Sequence, residues 1–165
     1  MSVLFSCCEF YCTETETEAE EDEYAMIDRF IEKFNSASEY QITNTSKSHM
    51  THRLRAFDGA PVEKGTLGDS DTIEITNYNR DGIFETGFRV ECTCGSPEEA
   101  KAVLETTVKI LDPSITDQKI QEDLYRFENS DGGISSILYG DTNTIDVMLN
   151  GGGLFIDVDL YEECK

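Results

Sequence analysis

Few side chains in this sequence have the type and spacing that metal or phosphate chemistry requires. His49 and His52 are the only histidines, and in a strand, positions three apart point to opposite faces. Residues 77–84, NYNRDGIF, match the first half of a calcium loop, but Phe88 stands where the bidentate glutamate is needed. The NGGG stretch at 150–153 lacks the lysine and the strand-to-helix context of a phosphate loop. We interpret all three as polar strand or turn residues and predict no metal and no cofactor.

Cysteines are a second source of chemistry. The sequence contains six of them, at Cys7, Cys8, Cys12, Cys92, Cys94 and Cys164. Cys92 and Cys94 alternate within a predicted strand, where both point to one face and act as small apolar residues. Paired zinc ligands are usually separated by two to four residues, and this pair is separated by one. We therefore expect reduced, buried thiols, with disulfides or a metal site as the alternatives.

No part of the sequence identifies a catalytic group. A cysteine or serine nucleophile would need a histidine and a carboxylate beside it, and no local signature marks such a set. Carboxylates are so frequent in this chain that no acid–base pair can be singled out without geometry. We predict no catalytic residue and a protein that is not an enzyme. A small enzyme whose cleft the sequence does not reveal is the alternative.

The charge of the chain is its most unusual property. Thirty-four acids and 13 bases give a formal net charge of −21. Residues 1–24 hold eight of the acids and no base, so 26 acids still face 13 bases in the remainder. Such a field attracts basic surfaces and repels phosphates. It argues against nucleic acid or anionic lipid as a direct ligand.

The N-terminal stretch CCEFYCTETETEAEEDEY, residues 7–24, has two interpretations. LFSC loosely resembles a lipoprotein cleavage site, in which case Cys7 or Cys8 is lipidated and residues 1–23 are an acidic tether. MSVLFS, however, lacks the basic segment and the apolar stretch that a signal peptide requires. Strand-forming residues followed by acids at the start of a helix favour an ordered strand and helix. We expect a cytoplasmic protein without a membrane contact, with a membrane-tethered extracellular protein as the alternative.

Three amphipathic helices are predicted from apolar residues at helical spacing. The first spans residues 24–34. The second spans 96–111, because Ser96 and Glu99 have the spacing of a capping box and a proline follows the serine. The third spans 116–127.

Strands are predicted between and after the helices from alternating apolar residues. They cover residues 38–45, 49–57, 72–77, 84–94, 134–139, 144–149 and 154–163. The glycines, the proline and the aspartates of residues 58–71 predict a loop. In the last strand, Asp157 and Asp159 are predicted to point to solvent, about 6.7 Å apart along the strand.

The order β-α-β-β-β-β-α-α-β-β-β, counting a first strand within residues 1–12, predicts a single α+β domain over residues 1–165. We expect a mostly antiparallel sheet of about six to eight strands with three helices packed mainly on one face.

Charge is then the main guide to function. We predict a non-enzymatic acidic binding or inhibitor protein that docks on a basic, nucleic-acid-binding site of a protein partner. In composition and size, though in no motif, the chain is similar to inhibitors of nucleases or of bacterial defence complexes such as CRISPR effectors, and to toxin immunity proteins. A secreted or lipid-anchored bacterial surface domain is the alternative. The predicted partner-binding residues are Glu14, Glu16, Glu18, Glu20, Glu21, Asp22 and Glu23, with Asp157 and Asp159 as a second patch.

Overall fold

The computed structural model of the chain describes residues 22–51, 59–69, 71–78, 86–128, 133–150, 153–159 and 161–164. Within these ranges the chain forms three helices and seven strands. They are α1 (Ala25–Ala37), β1 (Ile42–His49), β2 (Pro61–Leu67), β3 (Asp71–Asn77), β4 (Thr86–Thr93), α2 (Pro97–Leu111), α3 (Asp117–Glu128), β5 (Ile134–Tyr139), β6 (Thr144–Asn150) and β7 (Gly153–Asp159). The strand predicted within residues 1–12 lies outside the described residues.

All seven strands form one antiparallel sheet in the order β1-β2-β3-β4-β7-β6-β5. The sheet consists of two meanders, β1 to β4 and β5 to β7, which meet where β4 pairs with β7. The crossover between the meanders contains α2 and α3. The predicted α+β class, the antiparallel sheet and the order of elements from α1 onward are confirmed.

The helices cover one face of the sheet, which we call the inner face, and the opposite side is the outer face. Alternation along the strands sends apolar side chains inward. Ile75, Val90, Ile156 and Val147 lie in one row across four strands and are all buried. α1 packs against this core through buried residues such as Phe34, as the predicted apolar stripe requires.

The loop predicted over residues 58–71 is wrong at Pro61–Leu67, which form a strand. β1 continues to His49, and β2 occupies Pro61–Leu67, inside the segment that was predicted to be a loop. Pro61 is tolerated because it is the first residue of its strand. Gly65 permits close approach to β1, since a Cβ there would lie 3.0 Å from the carbonyl oxygen of Thr43. Residues 52–58 lie outside the described residues.

The helix boundaries follow from their capping residues. The Oγ of Ser96 accepts a hydrogen bond from the Glu99 N–H at 3.1 Å, as the predicted capping box requires. The Glu99 carboxylate accepts from the N–H of Gly95 at 3.0 Å, one residue earlier than in the standard motif. Thr116 caps α3 through a 3.3 Å bond from the Lys119 N–H to its Oγ1.

Asp112 fastens the end of α2 to the hairpin between β5 and β6. Its carboxylate accepts hydrogen bonds from the N–H and Oγ of Ser114 at 3.0 and 2.6 Å. It also accepts from the N–H groups of Thr142 and Asn143 at 2.9 and 2.7 Å. Gly140 is required beside it, because a Cβ there would lie 2.2 Å from an Asp112 oxygen. Asp112 therefore positions the β5–β6 hairpin as well as the end of α2.

Cys92 and Cys94 are buried with free thiols on the inner side, with their Sγ atoms 3.6 Å apart. The hydrogen bond between them and burial both raise the pKa of Cys92. These thiols are unreactive packing groups in the reduced protein. None of the described helices is long and apolar enough to span a membrane.

Candidate protein-docking surface

The outer face of the sheet carries the exposed side chains that could contact a partner. Strand register places its residues in rows that cross the sheet. One row contains Lys64, Glu74, Glu91, Phe155 and Met148. The next row contains Val62, Thr76, Arg89, Asp157, Asp146 and Ile137. Val62 and Thr76 are buried although they point outward, so the face is covered at this point of β2 and β3.

Carboxylates outnumber cations on the described part of this face. Glu74, Glu91, Asp146 and Asp157, which we call the acidic patch, lie with only Lys64 and Arg89 as their basic row neighbours. Lys64 pairs with Glu74 at 2.6 Å. Arg89 binds Asp157 through both of its carboxylate oxygens, at 2.5 and 3.0 Å. Among the described residues of these two rows, four carboxylates therefore accompany two cations.

The pKa values of two side chains reflect this negative field. Partial burial, followed by the charge of Glu74 on the adjacent strand, raises the pKa of Glu91. The hydrogen bond to Asp157 raises the pKa of the Arg89 guanidinium. Like charges directly opposite each other on adjacent strands, as Glu74 and Glu91 are, destabilise a sheet. A cation from a partner would relieve that repulsion.

The side of the face formed by β5, β6 and β7 carries several exposed apolar side chains. Ile137, Tyr139 and Met148 are 45, 71 and 50% exposed. Phe155, the cross-strand neighbour of Met148, is half-buried. These four residues, the apolar patch, lie directly beside Asp146 and Asp157 of the acidic patch. Contiguous exposed apolar side chains with a polar border are typical of protein-binding surfaces.

The structure places the predicted partner-binding residues in separate locations. Glu14, Glu16, Glu18, Glu20 and Glu21 lie outside the described residues. Asp22 and Glu23 are exposed before α1, where Asp22 accepts a bond from the Tyr24 N–H and Glu23 pairs with His49 of β1. Asp157 points to the outer face as predicted, but it is half-buried against Arg89. Only the backbone of Asp159 is described.

The two predicted patches are not brought together in the described part of the chain. Glu23 contacts the end of β1, and Asp157 lies on β7. β1 and β7 are four strand positions apart in the sheet, which is about 19 Å at the usual spacing. Asp22 and Glu23 therefore cannot act with Asp157 as one compact patch.

Sequence reasoning missed the apolar patch. Its signal was present, because Ile137 and Met148 occupy the outward positions of strands whose inward positions are also apolar. A strand that is apolar on both faces needs a covering layer or a partner. Of the neighbouring acids, Asp157 was predicted to face outward, but its grouping with Glu74 and Glu91 depends on strand order.

Comparison with known proteins gives no match: no family model fits the chain, and no characterised protein or solved structure is significantly similar to it.

Proposed function

We propose that this protein is a non-enzymatic acidic binding protein that docks on a basic site of a protein partner. The observation that supports it best is that the exposed apolar patch lies beside the acidic patch on the outer face. Apolar side chains supply contact energy, and the carboxylates select a partner of opposite charge. With a net charge of −21, the whole molecule steers toward such a partner.

The partner site is one that otherwise binds nucleic acid. Carboxylates held on a sheet take the place of phosphates, and the bound protein occludes the groove. The function is then inhibition of a nuclease, a defence effector or a toxin, and it takes place in the cytoplasm. The acids of residues 14–23 add to the attraction, and the outer face makes the specific contact.

Recovery of proteins from the native host at low ionic strength, followed by purification of each candidate, tests this proposal. The affinity of the purified pair is measured at about 50 and about 300 mM salt. The higher salt concentration shortens the screening length and weakens the attraction between exposed charges. We expect affinity to fall by about tenfold or more, and the partner's nucleic acid to compete with this protein. An affinity that is unchanged by salt, or simultaneous binding of both ligands, would contradict the proposal.

The tethered alternative predicts a different covalent state. If Cys7 or Cys8 carries a lipid, the intact mass of the protein from its native host exceeds the mass of the polypeptide by a diacylglycerol. We expect no such addition.

A further inference from the structure

β5 is an edge strand in the described part of the sheet, and its outer side offers a regular row of backbone hydrogen-bonding groups. The N–H of Gly140 donates to the carbonyl of Asn143 at 2.9 Å, which makes these two residues a hydrogen-bonded pair at the hairpin end. Hydrogen-bonded and non-hydrogen-bonded pairs alternate along an antiparallel ladder. The regular register of β5 with β6 therefore turns the N–H and C=O groups of Ser136 and Leu138 toward β6.

The alternate residues Ser135, Ile137 and Tyr139 then turn their backbone groups toward the free edge. Within the described residues, no hydrogen bond to these groups is observed outside the β5–β6 ladder. Ile137 and Tyr139 are the large apolar side chains described as exposed on this strand, and both belong to the apolar patch. β5 contains no charged residue, no proline and no register shift. Strands with these properties readily accept another strand.

The charge of the molecule decides what kind of strand fits. A second copy would bring another net charge of −21 against the first. A basic segment would be attracted instead. Asp146 is the neighbour of Ile137 on β6, exposed on the outer face. An added strand would lie two strand spacings from β6, about 9.5 Å.

A lysine or arginine suits the position of the added strand that lies beside Ile137. Its aliphatic stem would cover Ile137 while its charged end reaches Asp146. The next outward side chain on the added strand would lie beside Tyr139, whose ring attracts a second cation or packs against an apolar group. Because successive side chains of a strand point to opposite faces, these two outward positions are two residues apart in the added segment.

We propose that β5 binds an extended, basic segment of the partner as an eighth strand of the sheet, with Lys or Arg directed across Ile137 to Asp146. This inference rests on the proposed function and adds the mode of binding. Main-chain hydrogen bonds hold the segment, and the apolar and acidic patches select its side chains.

Two fluorescent peptides test this mode of binding. Both contain about nine residues of alternating Lys and Val, and one is N-methylated at every internal amide, so that neither of its edges can donate a main-chain hydrogen bond while its side-chain charge is kept. Binding is measured by anisotropy at about 50 and 300 mM salt. We expect the unmethylated peptide to bind at least about tenfold more tightly, the equivalent of about 1.4 kcal/mol.

Hydrogen exchange locates the binding edge. In the free protein, the amides of Ser135, Ile137 and Tyr139 should exchange quickly, while those of Ser136 and Leu138 are protected. The unmethylated peptide should slow the first three by about tenfold or more. Ile137→Lys should abolish this effect, and Ser46→Lys is its matched control, since it adds the same charge at an exposed position on β1.

The outcomes separate the two proposals. Equal binding of both peptides that weakens with salt overturns the strand mode and leaves acidic docking intact. Binding of neither peptide, or binding that salt does not change, contradicts acidic docking itself. Protection of the β5 amides that rises with protein concentration alone overturns the choice of occupant in favour of a second copy.

Discussion

The two edges of the sheet are built in opposite ways. At β1, the side chain of Asn35 accepts from the Ile42 N–H at 2.7 Å and donates to the Ile42 carbonyl at 2.9 Å. The hydroxyl of Tyr24 donates to the carbonyl of Ser48 at 2.7 Å. Asn44, with φ of 51°, lies where the β1–β2 register shifts. β5 has a regular register and none of these contacts among the described residues.

This difference shows that an edge can be closed by side chains as well as by strands. α1 supplies Asn35 and the preceding Tyr24, so the helix both covers the inner face and caps the edge. A bulge and polar exposed residues, as in β1, are common protections against unwanted pairing. β5 ends in an exposed tyrosine and contains an exposed isoleucine. Among the described residues, one edge is closed and the edge at the opposite end of the sheet is open, which is the arrangement that the proposed strand pairing requires.

The largest effect is expected from removing the support of the open edge. Asp112→Ala leaves the N–H groups of Thr142 and Asn143, at the β5–β6 hairpin, without their acceptor. Loss of a buried carboxylate with four hydrogen bonds should destabilise the fold by about 4 kcal/mol, measured by urea denaturation. Asp141→Ala, at an exposed neighbouring position, is the control and should change stability by no more than about 0.5 kcal/mol.

The loss of stability caused by Asp112→Ala should depend on pH. Burial raises the pKa of Asp112, but hydrogen bonds from Ser114, Asn143 and Thr142 outweigh burial and lower the pKa below its ordinary value. The stabilisation from the charged form is therefore complete above the unfolded pKa of about 3.9 and is lost as the pH falls through the lowered folded value. A difference between wild type and Asp112→Ala that grows on acidification would contradict this assignment.

A pair of proline substitutions tests which backbone groups of β5 face outward. Ser136→Pro removes an N–H directed to β6 and should destabilise the fold by about 3 kcal/mol. Ser135→Pro removes an N–H directed to the free edge, where proline is tolerated, and should cost about 1 kcal/mol or less. Thermal or urea denaturation measures both. Equal losses, or a reversed order, would show that the assigned alternation is wrong.

Opening the closed edge should have a smaller effect. Asn35→Ala removes the partner of both backbone groups of Ile42. We expect a loss of about 1 kcal/mol, since the hydrogen bonds are partly exposed and alanine favours the helix. The Ile42 amide should also exchange faster. Ser36→Ala, at the next and exposed helix position, controls for the helix propensity and should leave that amide unchanged.

The smallest effect is expected at the acidic patch. Because burial and Glu74 raise the pKa of Glu91, ionisation of Glu91 opposes folding at neutral pH. Glu91→Gln should stabilise the protein at pH 7 by a few tenths of a kcal/mol at most, given solvent screening. This gain should disappear as the pH falls through the raised folded pKa. Binding of the basic peptide should weaken in the same variant, and Glu162→Gln, an exposed position outside the sheet, should change neither.

Local signals in the sequence predicted most of the elements. The capping box at Ser96 and Glu99 marked the start of α2, and alternating apolar residues marked β3 to β7. β2 was missed because Pro61 and Gly65 are loop residues by propensity. The tertiary context overrode that propensity, since the proline is at a strand end and the glycine fits a tight approach to β1.

The candidate surface was less accessible to prediction. Alternation correctly directed Asp157 outward, but its partner Arg89 is 68 residues away and meets it only because β4 pairs with β7. Strand order between distant segments is not encoded in local periodicity. For the same reason, the position of Glu91 beside Phe155 could not be derived from either segment alone.

The pairing of β4 with β7 also determines when the sheet can close during synthesis. β7 begins about sixty residues after β4 ends. A nascent chain therefore completes the first meander well before β7, the strand that pairs with β4, has been synthesised. Until then β4 is itself an edge, and its outward residues Glu91 and Arg89 are charged. Long-range pairing of this kind is slow and exposes partly folded chains to aggregation. The charged side chains of β4 therefore disfavour pairing of this temporary edge with another chain.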